Sequence, residues 1–202
     1  QENQIFSYNF FIFLIISFLH LSVIMFFMQT LFNDGWKFAE LALNYKEMFK
    51  DEKPVLFSPE DYFANAKTLN FTDVRLPHDW MISNTKDLYR NSVGFYCKEF
   101  ELSEAQVQNK HNAIRFEGVY MNSAVWINGN LAGTWKYGYA TFEFDISDLV
   151  KAGTNEILVI AVYQDCNTRW YSGAGIFRDV HFISTEKTFL VSDGTYIVDK
   201  KI

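Results

Sequence analysis

The stretch IRFEGVYMNSAVWINGNLAG, residues 114–133, decides the fold class. Ile114 and Phe116 alternate with charged residues, and this period of two is typical of a strand with one buried face. Further along, Asn128-Gly129 separates two apolar runs. This dipeptide indicates a two-residue hairpin turn, because both of its residues tolerate positive φ. The stretch therefore predicts one strand followed by an antiparallel hairpin.

The same signals continue on both sides of this stretch. Residues 156–163, EILVIAVY, are apolar on both parities and predict a central strand that is covered on both faces. Residues 59–69 predict one or two helical turns opened by Pro59. Further strands are predicted at FNDGWKF (32–38), VGFYCKEFEL (93–102), ATFEFDI (140–146), RDVHFIS (178–184) and KTFLVS (187–192). About eight to ten short strands with turn signals between them indicate an all-β antiparallel sandwich.

Composition narrows the range of partners and sites. Of the 202 residues, 49% are apolar, which is enough for a sizeable core, and the net charge of −6 comes without a basic patch. Nucleic acid is therefore not an expected partner. Cys97 and Cys166 are too few for a disulfide framework, and the Trp and Tyr that an immunoglobulin domain places near its cysteines are missing. We expect both thiols to be reduced.

Residues 10–28, FFIFLIISFLHLSVIMFFM, carry no formal charge. At about 1.5 Å per residue, a helix of this length could span a bilayer core. The residues before it contain no Lys or Arg and no A-x-A pattern follows, so the flanks do not fit a cleaved signal peptide. A membrane anchor, an uncleaved signal and a translation start at Met28 remain open. The protein is cytoplasmic if translation starts at Met28, and otherwise membrane-anchored or secreted through this segment.

Six motifs in order carry a family resemblance. They are FNDGWKF, LPHDW, GFYCKEF, IRFEGVYMNSAVWINGNLAG, YGYATFEFDISDLVKAGTNEILVIAV and RWYSGAGIFRDV, within residues 31–184. The chain resembles the N-terminal sugar-binding domain of glycoside hydrolase family 2, the β-galactosidase and β-glucuronidase family, and is most similar to its β-galactosidase-like members. The resemblance implies a galactose-binding-like jelly-roll sandwich. It also implies that an immunoglobulin-like domain and a TIM barrel with two catalytic glutamates follow.

The resemblance divides the chain into three parts. Residues 1–30 are the apolar segment, residues 31–187 the sugar-binding domain, and residues 188–202 the start of the immunoglobulin-like domain. A retaining glycosidase needs two carboxylates about 5 Å apart, and the family carries them on the barrel. We therefore expect no catalytic residue and no cofactor in this chain, and no activity from it alone, although its family is one of glycoside hydrolases.

The resemblance also implies four substrate-binding residues. Trp170 would stack on the C–H face of a pyranose, and Arg169 would donate its planar fork to hydroxyls. Asn91, three residues before Gly94, would bond a substrate hydroxyl, and Asp79 would lie near substrate. The alternatives remain open: Trp170 packs against a neighbouring domain, Asn91 is a turn residue, and Asp79 is a loop anchor.

Other polar residues are expected to be structural. Neighbours in an extended segment point to opposite faces, so His78 and Asp79 do not form an acid–base pair. We expect His78 and Trp80 to be structural, and Arg178 and Asp179 to tie the loop to the sandwich. Some family members carry an acid at the position of Arg169, where it helps to hold sugar and a sodium ion, so no metal is expected there. Histidines without ligand spacing predict no zinc site; they are His20, His78, His111 and His181.

Two functions remain at this point. The first is a non-catalytic domain of an enzyme that cleaves terminal β-galactosides or related β-glycosides, with carbohydrate and the downstream domains as its partners. The second is a free-standing carbohydrate-binding module, tethered to a membrane through residues 10–28. VSDGTYIVDKKI at residues 191–202 reads as the start of a new element and favours the first.

Overall fold

The computed structural model describes residues 29–43, 49–50, 53–54, 57–108, 110–164, 172–189, 191–194 and 196–198. The strands are β1 Thr30–Leu31, β2 Trp36–Ala42, β3 Phe49–Lys50, β4 Lys53–Pro54, β5 Thr72–Val74, β6 Ser92–Leu102, β7 Lys110–Phe116, β8 Val119–Tyr120, β9 Ser123–Ile127, β10 Asn130–Trp135, β11 Phe142–Asp145, β12 Gly153–Tyr163, β13 Gly175–Ile176 and β14 Val180–Glu186. The helices are the 3₁₀ segments Pro59–Thr68 and Met81–Ser83 and the short α1, Glu104–Val107.

Two antiparallel sheets form the sandwich. One has the order β1-β14-β7-β11 and the other β10-β9-β12-β6-β2-β5. Two short ribbons, β13-β8 and β3-β4, lie outside them. The all-β sandwich expected from the sequence is confirmed. β12 lies between β9 and β6, as the apolar run at residues 156–163 predicts.

The Asn128-Gly129 turn forms as predicted. Both residues have positive φ, 51° and 81°, and Ile127 pairs directly with Asn130 across the turn. The Asn128 side chain also joins the hairpin to β12, since its Oδ1 accepts from Glu156 N at 3.0 Å and its Nδ2 donates to Asn155 Oδ1 at 2.8 Å. The turn therefore sets the register of β9 and β10 and fixes the hairpin against the next strand.

Apolar packing occurs on both faces of the six-stranded sheet. The inner face packs against the four-stranded sheet, whose Phe116 and Phe142 stack with ring centroids 5.0 Å apart in the core between the two sheets. On the outer face Phe63, from the 3₁₀ segment, lies 5.1 Å from Trp126. Even-numbered residues of β12, such as Ile160, face this outer cluster, and odd-numbered ones face the inner core. A central strand needs apolar residues on both parities because both of its faces are covered.

The prediction of a strand at residues 187–192 is wrong for the residues described there. β14 ends at Glu186, and residues 187–189, 191 and 192 contain no strand. The chain instead turns back onto the four-stranded sheet, where Phe189 stacks on His111 at 4.2 Å and Asp193 pairs with Arg115 at 2.9 Å. Phe189 therefore gains its burial by stacking on the sheet surface, which needs no strand partner.

Cys97 is a free cysteine, as expected, while Cys166 lies outside the described residues. Burial raises the pKa of the Cys97 thiol to about 11, and the negative Glu156 nearby adds to the shift. The thiol therefore remains protonated and unreactive at neutral pH.

The predicted apolar segment, residues 1–30, lies outside the described part of the chain up to residue 28. Thr30 already belongs to the sandwich, because it pairs with Phe182 of β14. No helix in the described part of the chain combines the length and the apolar composition that crossing a membrane requires. Residues 191–194 form a turn. The start of a further domain at residue 188 stays a prediction.

We predict that a shortened chain beginning at Met28 folds and unfolds cooperatively, because the described sandwich begins at β1. Thermal unfolding followed by circular dichroism would measure this. A chain beginning at Lys37 is the control. It lacks β1 and the fully buried Trp36, so it should lose cooperative unfolding. Loss of folding in the Met28 chain would show that residues before it pack into the core.

Candidate functional site

The predicted site residue Asn91 lies at one end of the six-stranded sheet. β6 begins where β12 ends, with Ser92 paired to Tyr163. Asn91 therefore precedes the ladder at the same edge at which Gln164 leaves it. Residues 165–171, which contain Arg169 and Trp170, follow Gln164 directly and lie outside the described residues. The structure thus places Asn91 beside the start of this segment.

Asp79 contacts the chain shortly after residues 165–171, at Ala174. Its Oδ1 accepts hydrogen bonds from Ala174 N at 3.1 Å and from Met81 N at 2.9 Å. Adjacent backbone bonds reinforce the contact, since Trp80 N donates to Ala174 O at 3.1 Å and His78 N to Ile176 O at 2.8 Å. Asp79 is therefore a loop anchor. Its contact with substrate stays a prediction, as does that of Asn91.

Trp80 connects the Asp79 loop to the start of β6. Its side chain is 1% exposed, and its Nε1 donates to Ser92 Oγ at 2.9 Å. The indole lies so close to β6 that a Cβ at Gly94 would stand 2.4 Å from a ring atom. The expected structural role of Trp80 is what the structure shows, and it explains why residue 94 must lack a side chain.

Arg90 is a positioning residue that the sequence analysis missed. Its guanidinium donates to Trp80 O at 2.7 Å and to Asp87 O at 2.9 Å, and it pairs with Glu40 at 2.8 Å. It therefore closes the loop between Trp80 and β6 and holds that loop to β2. A sequence signal existed, since an arginine directly before the predicted Asn91 is well placed to bind loop carbonyls.

His78 forms a neutral pair with a buried tyrosine. Its Nδ1 lies 2.9 Å from the hydroxyl of Tyr96. Burial lowers the pKa of His78 below its usual value, and the charge of Asp79 partly offsets this effect. Burial also raises the pKa of Tyr96 well above its usual value. Both groups are therefore uncharged at neutral pH, which suits a structural contact and not proton transfer with Asp79.

The glycines after the segment allow close packing. Gly173 and Gly175 have φ of 72° and 121°. A Cβ at Gly175 would stand 2.4 Å from the Tyr96 hydroxyl oxygen and 2.5 Å from His78 O. The turn is therefore tight, and its backbone approaches Tyr96 and His78 too closely for a side chain at residue 175.

The Arg178-Asp179 pair ties this region to the sandwich as predicted. Arg178 donates to Glu117 O and Tyr139 O, each at 3.4 Å. Asp179 Oδ1 accepts from Asn33 Nδ2 at 2.7 Å.

An open cavity of about 350 Å³ lies beside Gln164. Its lining mixes apolar groups with polar ones and includes Phe57, Pro59, Met121, Lys136 and Gln164. Gln164 Oε1 accepts from Phe57 N at 3.3 Å and so fixes one wall. The described surface beside Gln164 is therefore concave.

Comparisons with known proteins agree on one family. The family profile described as "Glycosyl hydrolases family 2, sugar binding domain" matches residues 36–186. A candidate β-glucuronidase of Formosa agariphila is 31% identical over 180 residues, which cover 84% of this chain and 16% of that protein. A β-galactosidase of Bacteroides ovatus is 35% identical over 139 residues, 63% of this chain and 16% of its own length.

The fold has solved counterparts. A family 2 glycosyl hydrolase from Bacteroides cellulosilyticus superposes with a TM-score of 0.59 at 29% identity, over 79% of this chain and 21% of that one. The chain spans about a sixth of the length of the Formosa agariphila and Bacteroides ovatus relatives.

We predict that Gly175→Ala destabilises the domain far more than Gly129→Ala. Both glycines have positive φ, which costs a residue with a Cβ about 1–2 kcal/mol. At Gly129 a Cβ meets nothing within 4 Å, whereas at Gly175 it collides with backbone and a buried hydroxyl. Overpacking adds about 1–3 kcal/mol or more. Urea unfolding of both variants measures the difference, and equal losses would mean that the close approach at Gly175 does not exist.

Proposed function

The chain belongs to glycosyl hydrolase family 2 and carries that family's sugar-binding domain, and from this premise we propose that it is the non-catalytic sugar-binding domain of an enzyme that cleaves terminal β-galactosides or related β-glycosides. Its relatives bear the names of β-galactosidases and β-glucuronidases, and it spans about a sixth of their length. The hydrolytic activity accordingly belongs to the whole protein. The immunoglobulin-like and TIM-barrel domains implied by the sequence resemblance are its proposed partners.

The observation that carries the proposal is the convergence at one sheet edge. Asn91 stands beside the start of residues 165–171, and Asp79 binds the backbone at Ala174, just beyond their end. The described residues before and after the segment that contains Arg169 and Trp170 thus lie next to Asn91 and Asp79, which the sequence predicts to bind substrate. An amide, a guanidinium and an indole offer the donors, acceptors and stacking face that a sugar requires.

Two described carboxylates near this edge, Asp79 and Glu40, are engaged in structural contacts. Asp79 accepts two backbone amides at one oxygen, and Glu40 is engaged by Arg90. A retaining glycosidase needs one carboxylate free to attack and a second to protonate, about 5 Å apart. Groups that hold loops in place are poorly suited to either task, so we assign catalysis to the partner domain.

The experiment uses the 202-residue chain alone. We expect no enzyme-dependent hydrolysis of nitrophenyl β-galactoside or β-glucuronide. Binding of millimolar galactose or glucuronate, followed by tryptophan fluorescence, tests the alternative of a free-standing module, because a domain that shares its site with partner domains supplies only part of the contacts with the sugar. Turnover by the purified chain would contradict the proposal.

Saturable binding that disappears in Asn91→Ala and persists in Asn130→Ala would instead support a free-standing module. Asn130 is an exposed asparagine at the hairpin and serves as the matched control.

In the full-length enzyme we predict that Arg169→Ala and Trp170→Ala each lower kcat/KM by about tenfold or more. A charge-assisted hydrogen bond contributes about 1.5–3 kcal/mol, and about 1.4 kcal/mol is a factor of ten. The melting temperature of each variant should stay near that of the unmodified enzyme.

The control is Arg75→Ala, because the Arg75 side chain is 80% exposed and pairs only with the equally exposed Asp34 among the described contacts. Normal kinetics in an Arg169 or Trp170 variant that melts much earlier would make the segment a packing element and the sugar assignment wrong.

A further inference from the structure

Three metal-ligating side chains meet at the edge of the four-stranded sheet where β7 ends and β14 begins. Glu117, Asp179 and His181 each offer one ligand atom, and these atoms all lie within 4.8 Å of one another. His181 Nε2 is 3.1 Å from Glu117 Oε1. We propose that the three residues form a binding site for a divalent transition metal, with zinc as the ion that fits best. The proposal is independent of the proposed function.

The backbone beneath the cluster is fixed by sheet pairing. Phe116 of β7 pairs with Val180 of β14, and Glu117 N donates to Asp179 O at 3.0 Å. Asp179 directly precedes β14 and is two residues from His181, so in extended backbone the two side chains lie on the same face. Donors at the fixed end of one strand pair lose little freedom on binding a metal, which favours a specific site.

A buried asparagine orients one of the carboxylates. Asn33 is 5% exposed, and its Nδ2 donates to Asp179 Oδ1 at 2.7 Å while its own Oδ1 accepts from Val180 N at 2.9 Å. A carboxylate has two oxygens, so Asp179 can keep this bond with one and offer the other to a metal. Hydrogen bonds of this kind position the ligands of metal sites in proteins.

The donor set selects the class of metal. One imidazole with two carboxylates suits zinc and its neighbours, whereas calcium and magnesium prefer oxygen ligands throughout. Zinc binds such atoms at about 2.0–2.2 Å, which places tetrahedral ligand atoms roughly 3.4 Å apart. His181 Nε2 and Glu117 Oε1 already have nearly this spacing. Rotation of the Asp179 side chain would bring its oxygen into position as the third ligand atom. Water would take the fourth position.

The same sheet carries a comparable pair that has no third member. His111 Nδ1 lies 3.4 Å from Asp145 Oδ2, between β7 and β11. Among the described residues only the cluster of Glu117, Asp179 and His181 brings three such groups together. His111 therefore provides a matched control, because it is a histidine beside a carboxylate on the same sheet.

The test measures zinc affinity of the full chain by competition with a chromophoric chelator, in a background of Cys97→Ala and Cys166→Ala that all variants share, so that no thiol competes for the metal. We expect one equivalent of zinc to bind. His181→Gln and Glu117→Gln should each weaken binding by at least about tenfold, the scale on which even supporting residues of metal sites act. His111→Gln should bind as the unmodified chain does. Circular dichroism in the presence of a chelator verifies that each variant is folded.

Two outcomes overturn the proposal. One is the absence of zinc binding in the folded, unmodified chain, which would reduce the cluster to an ion pair. The other is an equal loss of affinity in His181→Gln and His111→Gln, which would mean that zinc binds surface histidines without a built site. If His181→Gln fails to fold, Glu117→Gln decides alone, because that side chain is 42% exposed and its replacement is of the same size.

Discussion

The ladder between β6 and β12 fixes both the core and the position of the loop that follows it. Eleven residue pairs join the two strands, from Leu102 with Gly153 to Ser92 with Tyr163. Because side chains alternate along a strand, this one register sends Ile160 to the outer cluster and Val159 to the inner core. A shift by one residue would exchange the two faces of β12 and bury the wrong partners. The same ladder ends at Ser92 and Tyr163, so the register that packs the core also determines where the chain leaves the sheet at Gln164.

Close packing then turns that edge into a rigid frame. Trp80 packs on Gly94, and the Tyr96 hydroxyl lies beneath Gly175, so the backbones on either side of the segment cannot move apart without opening the core. Arg90 adds charged hydrogen bonds to the carbonyl of Trp80 and to Glu40. A frame of this kind lets a loop carry binding groups without contributing much to stability, since the frame and not the loop supplies the buried area. The large, fully buried side chains of Trp80 and Tyr96 belong to this frame and are accordingly not those proposed to contact sugar.

The sequence predicts local features well and long-range clusters poorly, for physical reasons. The Asn128-Gly129 turn depends on two residues that tolerate positive φ, and β12 depends on apolar residues at both parities, so neighbouring residues suffice to predict either. Phe189 and its neighbours have the alternating pattern of a strand. Whether a strand forms there also depends on an unpaired neighbouring strand edge, which only the whole fold determines. The cluster at Glu117 and His181 eludes a search for ligand spacing, because it is assembled by the pairing of β7 with β14. The contact of Arg90 with Glu40 is missed for the same reason, since Glu40 becomes a neighbour only when β2 and the loop before β6 come together.

The proposed sugar-binding edge and the proposed zinc site lie on one continuous segment, but the contacts between them separate their effects. After residue 171 the chain is held first at Ala174 by Asp79, then at Ile176 by the backbone of His78, and then at Asp179 by Asn33. Each contact is a hydrogen bond to a residue that is itself buried or bound in the frame. A change in the position of Asp179 would have to break the two earlier contacts before it moved the loop. Coupling between two sites requires an element with two stable arrangements, and these three successive contacts oppose a second arrangement of the segment. Zinc at the cluster would therefore stabilise the start of β14 and leave the sugar-binding edge unchanged.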